Sequence, residues 1–553
     1  MSMVPIAVWT AAAVCGAAGV QPGAVPGAER LDEPRLVDGM LVFPQDAAIP
    51  RFMTEAERRF VAQNPIVAAR SGGAPTGPVQ CPGEYEPMQA ILLSWNGQAS
   101  WLTIVTQMAN RITRFGDAEA WIVVRDQATE NSARTQLTNG NVDMTKVRFF
   151  QRRLDSIWIR DYGPRYIFEG DCRAIVDHTY NRPRPNDNAL PAWLGPRVGH
   201  AVYTLPLIHG GGNFHLSSLG QGYATRLINN ENPGKTEGEI IDLWHAFQNL
   251  DTRLFEPFPT TVDLTQHIDM WVQVFGDRRV MVSDWPLSPG STQDLICDAA
   301  AEAFAGEGYT VHRVPAVTSG GTHYTYTNVV LCNDLVLIPS YTAGAASPYN
   351  AQALSAWSAA LPGKTIFQVN CQALVTAAGV MHCIAMHVPA PRGGANPTAY
   401  VQSLNEPAVL ERGSVFGLRW ITDDDLGVGE VDLLLSTDGG ATYPRVIASG
   451  IPDSGAFDWA VPDEYLPRCR VKVVVRDADG NAGHDANDAD FSVGVCAADF
   501  DRDGFLDLFD VDLFFGCFEG LGCPEGADAD FNGDGFVDFF DADAFLDAFD
   551  RGC

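Results

Sequence analysis

Four short polar fragments, far apart in the chain, hold side chains suited to nucleophilic attack on a planar cation. They are WIRDYGP with Asp161, HIDM with His267 and Asp269, YTN ending at Asn328, and MHC ending at Cys383. Carboxylates grip a cation, a thiolate adds to its carbon, and imidazole moves the protons. The cation this set fits is a guanidinium. Its carbon is resonance-stabilised and weakly electrophilic, so displacement needs a soft nucleophile and a leaving nitrogen that is protonated as it departs. Two carboxylates accept its forked N–H donors through charge-assisted bonds and fix the carbon over the sulfur. This chemistry calls for no metal or organic cofactor.

The elements that must position these residues recur along the chain. Hairpins are expected at RYIFEGDCRAIVDHTY, NFHLSSLGQGYATRLIN, MWVQVFGDRRVMVSDW and NVVLCNDLVLIPSY, with turns at Gly-Asp, Gly220/Gly222, Gly-Asp and Asn-Asp. The first strand is MQAILLSW. Helices are expected over 293–306, entered by a capping box of Ser291 and Asp294, and over about 350–360. The unit reads as ββαβ, repeated about five times. Asp161 precedes the first hairpin, Asn213 opens the next, His267 and Asp269 lead into the third, Asn328 opens the fourth, and Cys383 lies in the last unit. Repeats packed around an axis would bring them to one end. His382, next to Cys383, would point to the opposite face of an extended segment.

The net charge of −31 argues against a nucleic acid or an anionic membrane as partner. Much of it is local, since residues 496–553 hold fourteen Asp and two Glu against two Arg. Two segments there align at a 31-residue period, DFDRDGFLDLFD and DFNGDGFVDFFD. Their oxygen ligands fall at Asp499, Asp501, Asp503, Asp507 and Asp510, then at Asp530, Asn532, Asp534, Asp538 and Asp541. Gly504 and Gly535 stand where a calcium loop turns sharply. Residues 398–495 alternate short strands with Asp-Gly and Gly-Gly turns and read as an immunoglobulin-like β-sandwich. Residues 1–20 are apolar and read as a secretion signal, and 21–80 as an N-terminal extension. No other stretch is long and apolar enough to span a membrane. Twelve cysteines suit an oxidising compartment. Losing Cys15 with the signal leaves an odd number, with Cys383 the candidate free thiol and up to two bridges among Cys496, Cys517, Cys523 and Cys553.

WIRDYGP, HGGGNF, HIDM, YTNVV and GVMHC, in this order, resemble the guanidino-group-modifying enzymes, and within them the bacterial agmatine deiminase and peptidylarginine deiminase family. The resemblance implies a five-bladed α/β-propeller (pentein) catalytic domain over residues 81–392. Asp161 and Asp269 would bind the guanidinium, His267 would be general acid and base, Cys383 the nucleophile and Asn328 a positioning residue, with Trp158 and Asn213 at the substrate. Ala377 and Ala378 depart from the glycines common before the nucleophile. The acidic tail, 496–553, resembles the small helical dockerin type of duplicated module. This implies structural Ca2+ and a cohesin-like or surface partner.

Substrate choice turns on NRPRPND. Arg182 and Arg184 could project to one side and bind a carboxylate, which agmatine lacks. In the peptidylarginine deiminase branch, which this segment resembles, such a pair reads the free carboxylate of a peptide ending in arginine. The first expectation is a secreted or cell-surface deiminase converting peptidyl, C-terminal arginine to citrulline plus ammonia. The alternatives are an agmatine deiminase, giving N-carbamoylputrescine for putrescine synthesis, a free-arginine deiminase, and an inactive calcium-dependent scaffold-binding protein.

Overall fold

The structure is a computed structural model that describes residues 31–551 apart from 426, 504, 525 and 526. The apolar start with Cys15, Gly504 of the first acidic loop and Cys553 therefore lie outside the described residues. Among the described residues no helix is long and apolar enough to cross a membrane.

Between residues 79 and 389 the chain builds five sheets on one plan. Three are an antiparallel hairpin with a third strand added in parallel. Their hairpins are His215–Ser217 with Gln221–Thr225, Val272–Gly276 with Arg279–Asp284, and Val330–Cys332 with Leu335–Ser340. The added strands are Asp251–Phe255, Thr310–Pro315 and Thr365–Asn370. A fourth runs Val79–Gln80, Arg165–Glu169, Cys172–Tyr180, Ala201–His209. The fifth joins the two ends of this region: Ala385–Pro389 lies antiparallel to Met88–Ser94, which continues in parallel to Glu119–Val124 and Val147–Gln151. Parallel neighbours require a crossover, supplied by helices such as Ala99–Phe115, Glu237–Gln248, Thr292–Gly306 and Asn350–Ala360. The region is thus a mixed α/β assembly.

Packing follows from the pattern of side chains. Met88–Ser94 is buried everywhere but Gln89, as a strand covered on both faces must be. Ala99–Phe115 buries Trp101, Ile104, Val105, Met108 and Ile112, a stripe at helical spacing. Glu237–Gln248 starts with a capping box of Thr236 and Glu239. The box expected at Ser291 does not form. The Ser291 hydroxyl makes no cap bond, and Asp294 accepts from the Gly290 N–H instead, at 2.7 Å.

The stretch expected to be only an N-terminal extension is partly core. Helix Glu55–Gln63 carries a full capping box between Thr54 and Glu57. Ala48, Ile49, Arg51, Thr54 and Glu57 are buried. Beyond residue 397 the chain is β-rich. One sheet holds Thr398–Val401, Val415–Asp423 and Ala456–Ala460, and a second is centred on Leu466–Asp477 and Val428–Ser436. It is anchored to the α/β region by a buried ion pair, Arg173 Nε to Asp423 Oδ2 at 2.8 Å with Nη2 to Oδ1 at 2.9 Å. In the tail, helices Leu508–Phe518 and Phe539–Arg551 stack Phe514 on Phe545 with ring centroids 4.0 Å apart.

The odd count requires at least one unpaired thiol, and the structure has several. Cys517 pairs with Cys523, and Cys496 is also disulfide-bonded. Seven others, Cys81, Cys172, Cys297, Cys332, Cys371, Cys383 and Cys469, are free and buried. In the α/β region cysteine serves as a small core residue.

Candidate active site

The candidate catalytic residues occupy corresponding places in four sheets, the turn that enters a strand of an antiparallel pair. Asp161 is in the short helix Ile159–Tyr162, ahead of Arg165–Glu169. Asp269 is in the 3-10 turn Ile268–Met270, with His267 as its cap, ahead of Val272–Gly276. Asn328 precedes Val330–Cys332, and Cys383 sits in the turn His382–Ile384 before the closing strand Ala385–Pro389. This shared phase brings Asp161, His267, Asp269, Asn328 and Cys383 to one point.

That point holds a guanidinium from the chain itself. Arg51, absent from the sequence-based site, donates from Nε to Asp161 Oδ2 at 2.9 Å and from Nη2 to Asp161 Oδ1 at 2.7 Å. It donates from Nη1 to Asp269 Oδ1 at 3.1 Å and from Nη2 to Oδ2 at 3.0 Å. Nη1 also reaches Cys383 Sγ at 2.7 Å, and Nη2 lies 2.9 Å from His267 Nδ1. Arginine has no acceptor, so Nδ1 of His267 must be the unprotonated ring nitrogen. Asn328 donates from its amide to Asp269 O at 3.0 Å and Cys383 Sγ at 3.3 Å, while its Oδ1 accepts from the His382 N–H. Gly212 of HGGGNF leaves the space the guanidinium fills. A Cβ there would overlap Arg51 Nη2 and stand 2.7 Å from Asp161 Oδ1 and 2.8 Å from Asp269 Oδ2.

The charges are mutually supporting. Burial alone would raise Asp161, but Arg51 and His267 outweigh it and hold the carboxyl well below its ordinary range. Asp269 is lowered in the same way by Arg51 and His382. Burial pushes the Cys383 thiol well up, Arg51 opposes this, and Asp269 and Asp161 add to it. Burial and the adjacent Arg51 lower His267, against the pull of Asp161, so the ring is neutral and able to take a proton.

Several residues take different places from those the sequence suggested. Arg182 donates to the Arg51 carbonyl at 3.3 Å. Arg184 is fully buried and binds Glu57 Oε1 at 2.7 Å and the Pro50 carbonyl at 2.8 Å. The pair therefore faces main chain and one internal carboxylate. Trp158 donates from its indole N–H to Ile49 O at 2.8 Å. Asn213 does not touch Arg51: its Oδ1 accepts from Thr225 N at 3.0 Å and Ile268 N at 3.3 Å, so it braces the turn carrying His267 and Asp269. His382, expected to face away, is turned inward by its 3-10 geometry. Its Nδ1 lies 3.0 Å from Asp269 Oδ2 and its Nε2 3.0 Å from Glu84 Oε1. Ala378 adopts φ 65°, a conformation glycine takes freely, and Ala377 O accepts the Arg51 N–H at 2.9 Å. The sequence signal nearest to Arg51 is the capping box of Thr54 and Glu57, which starts a helix just downstream of it and marks the segment as more than a spacer.

In the tail, Asp499, Asp501 and Asp503 bring one carboxylate oxygen each within 4.8 Å of one another. Asp510 Oδ1 closes the first loop by accepting from Phe500 N, and Asp541 Oδ1 does so in the second from Asn532 N. These oxygen-rich turns fit a hard cation such as Ca2+.

Comparison with known proteins gives the same region a lineage. The family model for Porphyromonas-type peptidyl-arginine deiminase matches residues 80–389. A putative agmatine deiminase of Streptomyces avermitilis is 24% identical over 345 residues, covering 56% of this chain and 96% of its own. The agmatine deiminase of Ectopseudomonas mendocina is 23% identical over 370 residues, covering 56% and 96%. Among solved structures, the agmatine deiminase of Enterococcus faecalis aligns with TM-score 0.50 at 20% identity, covering 57% of this chain and 98% of that one. A C. jejuni agmatine deiminase with substrate bound aligns with TM-score 0.50 at 17%, covering 57% and 97%. At such identities the structural likeness speaks for the fold alone, whereas the family match spans more than half of the chain. The chain belongs to the Porphyromonas-type peptidyl-arginine deiminase family, enzymes that hydrolyse guanidino C–N bonds.

Proposed function

We propose that this protein deiminates peptidyl arginine, and the observation that carries the reading is Arg51. Arg51 is an arginine inside a polypeptide, and both its guanidinium and its flanking main chain are bound. Trp158, Arg184, Ala377 and Arg182 bond in turn to Ile49, Pro50, Arg51 N–H and Arg51 O. Agmatine would use only the guanidinium contacts and leave these main-chain groups without a role. The expectation of a C-terminal arginine is widened accordingly: an internal arginine fits, and a terminal carboxylate would stand where Arg182 now meets the Arg51 carbonyl. A second reading, agmatine deiminase, is favoured by the names of the relatives aligned with this chain.

In the mechanism Asp161 and Asp269 hold the guanidinium, Cys383 adds to its carbon and His267 passes a proton to the departing nitrogen. Water then displaces the sulfur from the thiouronium while His267 takes the proton released. Asn328 holds the Asp269 main chain and Cys383 in register, and Glu84 with His382 fixes the Asp269 carboxylate. The reading takes the α/β region as a five-bladed α/β-propeller and residues 398–495 as a sandwich of immunoglobulin type. A calcium-binding, dockerin-like tail, reaching a surface or cohesin-like partner, and secretion complete the proposal.

The test is ureido product formed from agmatine, free arginine and peptides with internal or terminal arginine, using the wild type, Cys383→Ala and Arg182→Ala. Cys383→Ala should lose turnover on all of them by roughly 10³-fold or more. Arg182→Ala should raise KM for peptides about tenfold, the loss of a charge-assisted bond of roughly 1.5 kcal/mol, and leave agmatine unchanged. A preference for agmatine with no effect of Arg182 would select the second reading.

A further inference from the structure

We propose that Arg51 is a modification site of this same chain: the enzyme converts Arg51 to citrulline in an intramolecular turnover and thereby clears its own pocket. The inference rests on the deiminase reading above. Arg51 brings its guanidinium into contact with the acids, the thiol and the imidazole together. Its guanidinium is forked between Asp161 and Asp269, Cys383 Sγ is 2.7 Å from Nη1, and His267 Nδ1 is 2.9 Å from Nη2. A residue kept only to neutralise two carboxylates would not need to meet both the thiol and the imidazole.

The segment is also held as a bound peptide is held. Its main chain is bonded at residues 49, 50, 51 and 52, the last through Arg184 Nη2 to Phe52 O at 3.4 Å. On its C-terminal side, Glu57 locks onto Arg184 at 2.7 Å with both side chains fully buried. Phe43, Ala47 and Ile49 form a small apolar cluster on the other side. These contacts raise the local concentration of one particular arginine at Cys383 and exclude others from the pocket.

The reaction balances without any further reactant except water. The sulfur of Cys383 bonds to the Arg51 Cζ, and the bond from Cζ to Nη2 breaks. The thiol proton, relayed by His267, leaves on that nitrogen as ammonia, and the remaining thiouronium keeps the positive charge. Water adds to Cζ, His267 accepts its proton, and the C–S bond breaks to regenerate the thiol and leave the neutral ureido side chain of citrulline. Citrulline has lost the charge for which Asp161 and Asp269 compete, so the product holds its place far less tightly than arginine. Conversion therefore opens the pocket to arginine from outside.

The experiment uses the full chain, purified and incubated, with residue 51 read by peptide mass spectrometry and ureido product from an added arginyl peptide read in parallel. Wild type should show the mass of one NH replaced by O at residue 51 and resistance to trypsin there, and turnover of added peptide should rise with the converted fraction. Cys383→Ala and Cys383→Ser should keep arginine at 51. Isotope-labelled Cys383→Ala chain mixed with active chain should stay unconverted, and its conversion in trans would overturn an intramolecular step. Arginine persisting at 51 in a preparation that turns over added peptide would overturn the inference while leaving the deiminase reading intact. No ureido product from any source would overturn both.

Discussion

Replacing Arg51 by alanine removes the guanidinium that Asp161 and Asp269 share. Those carboxylates are 1% and 0% exposed. Breaking a buried ion pair from one side costs roughly 3–5 kcal/mol, because the remaining charges stay desolvated. With roughly 2 °C per kcal/mol as a lower slope for a large chain, Tm should fall by about 6 °C or more. The deficit should be recoverable with a guanidinium ligand, since about 2.7 kcal/mol returns at a hundred times its Kd. The pH dependence has a definite sign. With arginine at residue 51 both carboxyls are depressed, so their stabilisation is present above the unfolded aspartate value of about 4 and is lost only as pH falls through the lower folded values. In Arg51→Ala burial is no longer opposed by the guanidinium, so the carboxyls rise and take up protons on modest acidification. The difference between the chains with and without Arg51 should then be largest at neutral pH and shrink towards pH 5. The assay is thermal unfolding from pH 5 to 8 of Cys383→Ala, in which residue 51 stays arginine, and of Cys383→Ala with Arg51→Ala, each with and without an arginyl peptide. An unchanged Tm in Arg51→Ala together with no stabilisation by the peptide would refute the assignment of this pocket to a guanidinium.

Three further outcomes follow from the geometry. Gly212→Ala should abolish binding of every guanidinium substrate, because the added methyl occupies the position of Nη2; calorimetric titration of a Cys383→Ala background with arginyl peptide would read this. Asp423→Ala should weaken the anchoring of the β-rich region by roughly 3 kcal/mol, since the buried Arg173 would lose its carboxylate and keep only neutral acceptors at Gln89, Pro389 and Asp424. Faster proteolysis between residues 389 and 398 would report it. Chelation of divalent cations should lower the helix content of 508–518 and 539–551 without reducing turnover, measured by circular dichroism beside the ureido assay.

Much of the site was legible because its chemistry is bound to a repeat. Asp161, His267, Asp269, Asn328 and Cys383 share one phase relative to their strands, and a regular ββαβ period carries that phase across the chain. Arg51 obeys no such period. It meets Asp161 across 110 residues, Asp269 across 218 and Cys383 across 332, from a segment whose Pro, Gly and Ala content reads as a spacer. The same segment sets the place of Arg184, whose partner Glu57 lies in it. His382 was lost to a local assumption, that residues beside the nucleophile are extended. A single 3-10 turn reverses which side chains share a face. The free cysteines illustrate a third limit, because a count carries parity but not burial.

The strand pairing that joins Ala385–Pro389 to Met88–Ser94 also sets a schedule. Cys383 stands immediately before the strand that joins the end of this region to its start, whereas Arg51 is synthesised more than three hundred residues earlier. Contacts of such separation form late, after the loop between them has been ordered. Arg51 thus waits beside a half-built cradle until the last strand arrives, and the thiol meets the arginine of its own chain before any other. A nascent or truncated chain that ends before Cys383 carries the acids, the imidazole and the bait, yet has no nucleophile to spring the trap.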